Sequence, residues 1–362
     1  MSNAFRTIVE RLTSSTPRTL WSPLGLSVVL AALASACDEA HPRDAYAQPA
    51  GDAAEISAWF YNLYLALDSV ILLIVMAVLV AALVKFRRKA GDDTLPEQSF
   101  GDTRLEIAWT ILPTLIVLGI TVPTLGGLFE LAKRPDANQK IIEIEVTGKQ
   151  WWWELDYKKE GINTGNEMHV EVDTQVMLHL TSADVIHAWW VPRLSGKRDA
   201  TPGRSYPLNF RPKEVGSFDG QCAELCGASH ALMGIRIIVH PHDGPDSYAN
   251  WVKHTKEAAP KVTTPEAEAG QKVFMSKGCV ACHTIEGVSE LAAGARSRTS
   301  GPNLTHVGSR DYIAAHTLKN SPENIAKWVK NPQQVKPGAL MTNLGLNDQE
   351  AKDVAAFLTA LK

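Results

Sequence analysis

Apolar and polar positions divide the chain into a membrane-directed third, an alternating middle block and a helical end. Leu20 to Ala36 is an apolar run of 17 residues preceded by Arg6, Arg11 and Arg18. It ends in small residues and Cys37, the order of an export signal over residues 1–36 followed by an exported segment, 37–60. Two longer apolar spans follow. Tyr61 to Val84 carries one charge, Asp68, and Ile107 to Leu131 carries one, Glu130, with Pro113 and Pro123 inside. At 1.5 Å per residue each reaches about 36 Å, more than a hydrocarbon core of about 30 Å. Lys85, Arg87, Arg88 and Lys89 lie between the spans, so the positive-inside rule puts this loop in the cytoplasm. The prediction is a transmembrane hairpin over 61–131 with the N-terminus and everything after residue 131 outside.

From residue 138 the period becomes two. Ile142-Glu143-Ile144-Glu145-Val146 alternates like a half-buried strand, and short runs recur at 168–172, 176–180, 205–210 and 235–239. Pro- and Gly-containing loops separate them, which predicts a β-sandwich or Greek-key barrel over 138–256. Residues 257–264 read as a linker. Thr264 as N-cap and Pro265 at the first helical position then open a helix towards Lys277. A last helix over 347–361 opens with Asn347 and Glu350 as a capping pair, so 265–362 is predicted to be an all-α domain.

Composition narrows the classes. Of 362 residues, 45% are apolar and 21% charged, which fits neither a disordered polymer nor a chain embedded wholly in the membrane. The net charge of −3 excludes a nucleic-acid binder that relies on general positive charge. Residues 260–362 carry 12 basic and 9 acidic side chains, whereas the two preceding thirds are net acidic.

The five cysteines are Cys37, Cys222, Cys226, Cys279 and Cys282. An odd number in two close pairs is a poor disulfide framework and a good metal or cofactor pattern. Cys222 to Met233 places two thiols, His230 and a thioether in twelve residues, and His187 lies 35 residues earlier at the end of a strand. Thiolate, imidazole and thioether together suit copper, and two thiolates on one loop can bridge two copper ions. A Cys2His2 zinc site is the alternative, although zinc has no use for the Met.

These residues resemble subunit II of cytochrome c oxidase. The similarity covers the hairpin, Gly148-Lys149-Gln150-Trp151-Trp152-Trp153, Thr181 to His187, Asp199 to Arg204 and the Cys222–Met233 loop. It implies a cupredoxin-type domain with a binuclear CuA centre held by His187, Cys222, Cys226, His230 and Met233, with Glu224 as a backbone-carbonyl ligand. It further implies that the Glu224 carboxylate reaches a magnesium shared with subunit I, and that electrons enter at Trp151, for which a core or interface tryptophan in an aromatic strand is the alternative. Glu106, before Ile107-Ala108-Trp109, matches a carboxylate at the mouth of a proton path, or is an acid favoured at a helix N-terminus. Asp68 has no such match. His169 and His179 read as sheet residues, and His240, His242 and His254 as surface or linker groups.

Cys279-Val280-Ala281-Cys282-His283 is the attachment motif of c-type haem: two thiols add to vinyl groups and the adjacent His ligates iron. A thioredoxin-like redox pair is the alternative, without the βαβ pattern around it. Met341, 58 residues after His283, is the favoured second axial ligand over His306 and His316, because Met raises the potential as an electron carrier needs. Gly270, Phe274, Gly301-Pro302-Asn303-Leu304 and Pro337-Gly338 make this block similar to class I cytochromes c. That similarity implies that the Pro302 carbonyl accepts the His283 ring proton. Thr342 departs from the pattern, where Pro is frequent.

The combined resemblance is to a caa3-type oxidase subunit of the bacterial cytoplasmic membrane, multi-pass, with both redox domains outside. It implies relay from a cytochrome c or another respiratory donor through haem c and CuA to subunit I, which reduces oxygen and pumps protons. Three alternatives are a copper-bearing nitric oxide reductase subunit, a quinol oxidase subunit II, against which the copper thiols count, and a copper chaperone, which needs no covalent haem. Leu33-Ala34-Ser35-Ala36-Cys37 resembles a lipoprotein cleavage box, so Cys37 is a lipid acceptor or an unmodified thiol. Cleavage after Ala36 or after Ala45-Tyr46-Ala47 fits, as does a third transmembrane helix.

Overall fold

The computed structural model describes residues 48–87, 91, 98, 100–133, 139–289 and 301–362. Cys37, the 1–36 export signal and its cleavage points lie outside the described residues.

Helix α1, Asp52–Lys85, and helix α2, Thr103–Ala132, each contain an 18-residue stretch apolar enough, and are long enough, to cross a membrane. Asp102 caps α2 by accepting from the Arg104 and Leu105 amides, and Pro113 and Pro123 both lie within this helix. The helices meet where Tyr64 and Thr124 share a 2.6 Å hydrogen bond and Gly127 lies under the Phe60 ring. Helix α1 starts well before the apolar span that begins at Tyr61, so residues 52–60 of the 37–60 segment are helical and continuous with that span. They are helical because Asp52 accepts from the Arg211 amide at 2.8 Å, fixing the first turn on the β domain. Ala50, Ala53, Ala54 and Ala58 are buried there, and Glu55 pairs with Lys213.

Ten strands form the middle domain: β1 Ile141–Lys149, β2 Trp152–Tyr157, β3 Ile162–Gly165, β4 Glu167–Glu171, β5 Gln175–Ser182, β6 His187–Trp190, β7 Arg198–Ala200, β8 Tyr206–Phe210, β9 Gly216–Cys222 and β10 Gly234–His240. They make two five-stranded sheets, in the orders β3-β2-β1-β5-β8 and β4-β10-β9-β6-β7. The β1–β5 and β4–β10 pairs are parallel and the other pairs antiparallel. Ile142, Ile144 and Val146 alternate inward as the period-two pattern predicts, into a buried core that also holds Trp153, Trp189 and Ile237. Strands β2 and β9 also bury alternate residues, but Trp152 on the outer face of β2 and the Gly and Gln of β9 hide the alternation in the sequence, and β6 buries three successive residues.

Helix α3, Tyr248–Thr255, closes this domain. Its Trp251 stacks on His169 at 4.3 Å between ring centres, and His169 Nδ1 lies 2.8 Å from His240 Nε2. His240 is therefore part of a half-buried aromatic cluster rather than a surface group. Residues 257–264 follow without regular structure.

The C-terminal domain contains α4 Pro265–Ser276, the hairpin of β11 Tyr312–Ile313 and β12 Leu318–Lys319, α5 Pro322–Lys330, α6 Pro332–Val335 and α7 Asp348–Ala360. Among the described residues, its regular elements are otherwise helices. Thr264 caps α4, and Asn347 with Glu350 forms a complete capping box on α7. Helices α4 and α7 cross at Gly270, where an added Cβ would fall 1.9 Å from the Asp353 carbonyl oxygen. Phe274 packs on Phe357 beside this crossing, with ring centres 5.6 Å apart.

Candidate metal and haem centres

Strand β9 delivers Cys222, and the loop after it turns back so that the Cys222 amide donates to the Met233 carbonyl at 2.9 Å. Gly227 makes the turn at φ +116°, and a Cβ there would strike the Trp151 ring at 2.9 Å. The loop thereby sets Cys222 Sγ 3.7 Å from Cys226 Sγ, with Cys226 Sγ 3.5 Å from His230 Nδ1 and 4.0 Å from Met233 Sδ. His187, at the start of β6, brings its Nδ1 to 4.0 Å from Cys222 Sγ. The ligating atoms of His187, Cys222 and Cys226 all lie within 4.8 Å of one another and all three residues are buried. The Glu224 carbonyl oxygen lies 3.3 Å from Cys222 Sγ, and the Glu224 side chain is exposed.

The sulfurs are far beyond the ~2.05 Å of a disulfide, and both cysteines are free. A hydrogen bond from Cys226 draws Cys222 down to about 3, and the same bond raises Cys226. The proton thus stays on Cys226, which donates to the Cys222 thiolate, and a bound cation would favour ionisation of both. His187, Cys222 and Cys226 gathered within 4.8 Å, with His230 and Met233 beside the Cys226 sulfur, fit a soft metal.

Gly148 leaves room for the His187 ring, since a Cβ there would meet its Cδ2 at 2.7 Å. Asp184 accepts from His187 Nε2 at 2.8 Å, which leaves Nδ1 as the basic nitrogen facing the sulfurs. Burial pushes the Asp184 carboxyl up, but His187 and the Gln150 and Val185 amides outweigh it and hold it below its ordinary value. Burial likewise pushes His187 down, and Asp184 and Cys222 raise it overall. Asp184 and Gln150, whose Nε2 donates to the Cys226 carbonyl at 2.7 Å, carry no role in the sequence reading. The signal was present: a carboxylate three residues before a candidate metal histidine.

The second site is a cleft in the C-terminal domain walled by Phe274, Leu304, Ile313, Val329, Leu346 and Leu358. Cys279, Cys282, His283 and Met341 all line it. His283 Nδ1 donates to the Pro302 carbonyl at 2.9 Å, leaving Nε2 as the ligating nitrogen, and enclosure lowers its proton affinity. Gly301 permits this seat, because a Cβ there would fall 2.3 Å from the ring. An apolar cleft lined by two free thiols, an oriented imidazole and a thioether fits a covalently attached haem. Of the rival histidines, His316 stacks on Tyr312 at 3.8 Å between ring centres with Nε2 3.6 Å from Asp219, and His306 Nε2 bonds the Glu257 carbonyl at 3.0 Å.

Trp151 lies between the two sites. It is 7% exposed, and its Nε1 donates to the Cys226 carbonyl at 3.0 Å. Glu106 is exposed in the first turn of α2 and Asp68 is exposed within α1.

The periplasmic domain family of cytochrome c oxidase subunit II matches residues 158–240, its transmembrane domain family residues 43–126, and the cytochrome c family residues 267–362. A cytochrome c oxidase subunit 2 from Alkalihalophilus pseudofirmus is 35% identical over 84% of this chain and 87% of its own. The chain belongs to the cytochrome c oxidase subunit II family. A subunit 2 from Bacillus sp. strain PS3 is 34% identical over 76% of this chain and 80% of its own. The crystal structure of the periplasmic domain of oxidase subunit II from Bradyrhizobium japonicum is 36% identical over 34% of this chain and 96% of that one, with a TM-score of 0.31. With its C-terminal cytochrome c domain, this subunit II is of the caa3 type, a membrane-spanning part of a haem–copper oxidoreductase carrying copper and haem domains. The matches lend no support to the nitric oxide reductase alternative.

Proposed function

We propose that the subunit relays electrons from a cytochrome c, or another respiratory donor, to subunit I by way of two centres built from the residues above. His187, Cys222, Cys226, His230, Met233 and the Glu224 carbonyl hold two copper ions, and Cys279, Cys282, His283 and Met341 hold one haem c. The 3.7 Å sulfur separation carries the reading, because a paired-thiolate bridge needs two sulfurs on one rigid turn beside two imidazoles. When bound, these groups supply one-electron transfer from the donor towards subunit I, which reduces oxygen to water and pumps protons.

The chain's own residues hold and orient. Asp184 fixes the His187 ring, the Pro302 carbonyl fixes His283, and Gln150 and Trp151 pin the Cys226 carbonyl. Trp151 is the point where electrons enter the copper domain. The exposed Glu224 carboxylate is a hard oxygen ligand suited to a magnesium shared with subunit I. Glu106 marks the mouth of a proton path into subunit I. The subunit sits in the bacterial cytoplasmic membrane with both redox domains outside, and Cys37 accepts lipid after export.

Metal analysis and electron paramagnetic resonance of the purified oxidase test this. Two coppers and one iron in subunit II with a mixed-valence copper signal are expected, alongside cyanide-sensitive oxygen uptake. Zinc, or a single cupric ion, at the paired cysteines overturns it.

A further inference from the structure

Lys336 is 2% exposed and sits five residues before Met341, at the junction of the C-terminal and β domains. Its Nζ donates to three backbone carbonyls: Trp151 at 2.6 Å, Leu232 at 2.7 Å and Ala314 at 3.1 Å. An ammonium has three N–H donors, so each meets one oxygen. Two of these carbonyls belong to the β domain, one on Trp151 and one next to Met233, and the third belongs to the C-terminal domain.

Burying a charge is costly unless its hydrogen bonds are supplied, so a lysine here marks a contact that the fold maintains. Burial lowers the Lys336 ammonium to about 7, with the Cys226 sulfur opposing that drop. Neighbouring bonds join the same two surfaces. Ser229 Oγ donates to the Pro337 carbonyl at 2.6 Å, the Gly234 amide to the Ala315 carbonyl at 2.9 Å, and Thr317 Oγ1 to the Leu232 carbonyl at 3.1 Å. Gly338 then lies against the Trp151 ring, where a Cβ would come within 2.9 Å of Cη2.

We infer that Lys336 is a positioning residue for electron transfer between the domains, tying the segment that leads to Met341 onto the backbone of Trp151 and Leu232. This rests on the relay reading above. Removing the ammonium takes the Lys336 donor from the Trp151 carbonyl and leaves the Leu232 and Ala314 carbonyls to the single Thr317 hydroxyl, while bonds farther from Met341, such as Arg236 to Asp311 and the Asp311 amide to Glu167, still join the two domains.

The test uses the assembled oxidase carrying Lys336→Met, which keeps an unbranched apolar stem. Two quantities are measured: the rate at which flash-reduced haem c is oxidised by copper, and amide hydrogen exchange at Gly234. Transfer about tenfold slower and exchange about tenfold faster are expected, with copper, iron and haem absorption at parent values. Parent-like transfer overturns the inference, whether or not exchange rises. Should Lys336→Met disturb haem ligation, Thr317→Val decides, since it removes a hydroxyl from the Leu232 and Ala314 carbonyls without touching the Met341 segment. Changes of about threefold in the same directions support the junction, and none overturns it. If the parent oxidase shows no haem-to-copper transfer, the relay reading falls. Gly234 exchange then reports whether Lys336 ties the domains at all.

Discussion

The Trp151 indole donates to the Cys226 carbonyl at 3.0 Å while Gly338, from the C-terminal domain, lies against the far edge of the same ring. Gly338 adopts φ +81°, a conformation suited to glycine, and any side chain there would press on the ring. One aromatic side chain thus touches the loop of the paired cysteines and the loop leading to Met341.

Trp151→Phe keeps most of the ring volume and loses the bond to Cys226. It is expected to leave copper and haem content unchanged and to slow haem-to-copper transfer by about an order of magnitude, as small displacements of reacting groups do. Flash-induced absorption changes check this, and a parent-like rate removes Trp151 from the path.

Met233 is 1% exposed with its sulfur 4.0 Å from Cys226 Sγ. Met233→Leu conserves volume, so the fold should lose less than about 1.5 kcal/mol. The copper spectrum should shift while haem absorption stays intact. An unshifted copper spectrum removes Met233 from the ligand set.

Gly270→Ala sets two effects against each other. Alanine improves helix propensity by about 1 kcal/mol, but its Cβ would fall 1.9 Å from a backbone oxygen of α7. Backbone cannot rotate away as a side chain can, so overpacking wins and the C-terminal domain loses about 1–3 kcal/mol. Calorimetry should show a lower melting temperature, and a rise would contradict the crossing described.

Glu167 spans the domain junction, accepting from the Asp311 amide at 3.2 Å with His169 Nε2 3.3 Å away. Burial pushes its carboxyl up, yet His169, Arg310 and that amide hold it below its ordinary value. A carboxyl lower in the folded than in the unfolded chain stabilises fully above its unfolded value, about 4.3, and loses that contribution as pH falls through the folded one. Glu167→Gln should therefore lower stability by about 1–3 kcal/mol at neutral pH, with the gap to the parent closing in acid. Melting curves from neutral pH to about pH 3 would show it, and a gap independent of pH would refute it.

Chemistry confined to one turn was legible before any fold was known. The Cys222–Met233 loop and Cys279–His283 announce candidate donors because ligand spacing along a chain survives without tertiary information. The membrane spans were legible because length and apolarity alone qualify them. The early start of α1 was not, because residues 52–60 are held by Arg211, far along the chain. Nor were the Asp184 and Gln150 roles, which depend on hydrogen-bond directions.

Sequence alone carried the three-part architecture and the family, since length, periodicity and motif spacing encode them, and it put forward the candidate donor residues. Only the tertiary structure decided how the domains meet: Lys336 reaches the Trp151 carbonyl across 185 residues of chain, and Gly338 packs on the same tryptophan. No local pattern encodes such a contact, because it depends on two separately folded surfaces placing their backbones within hydrogen-bond reach.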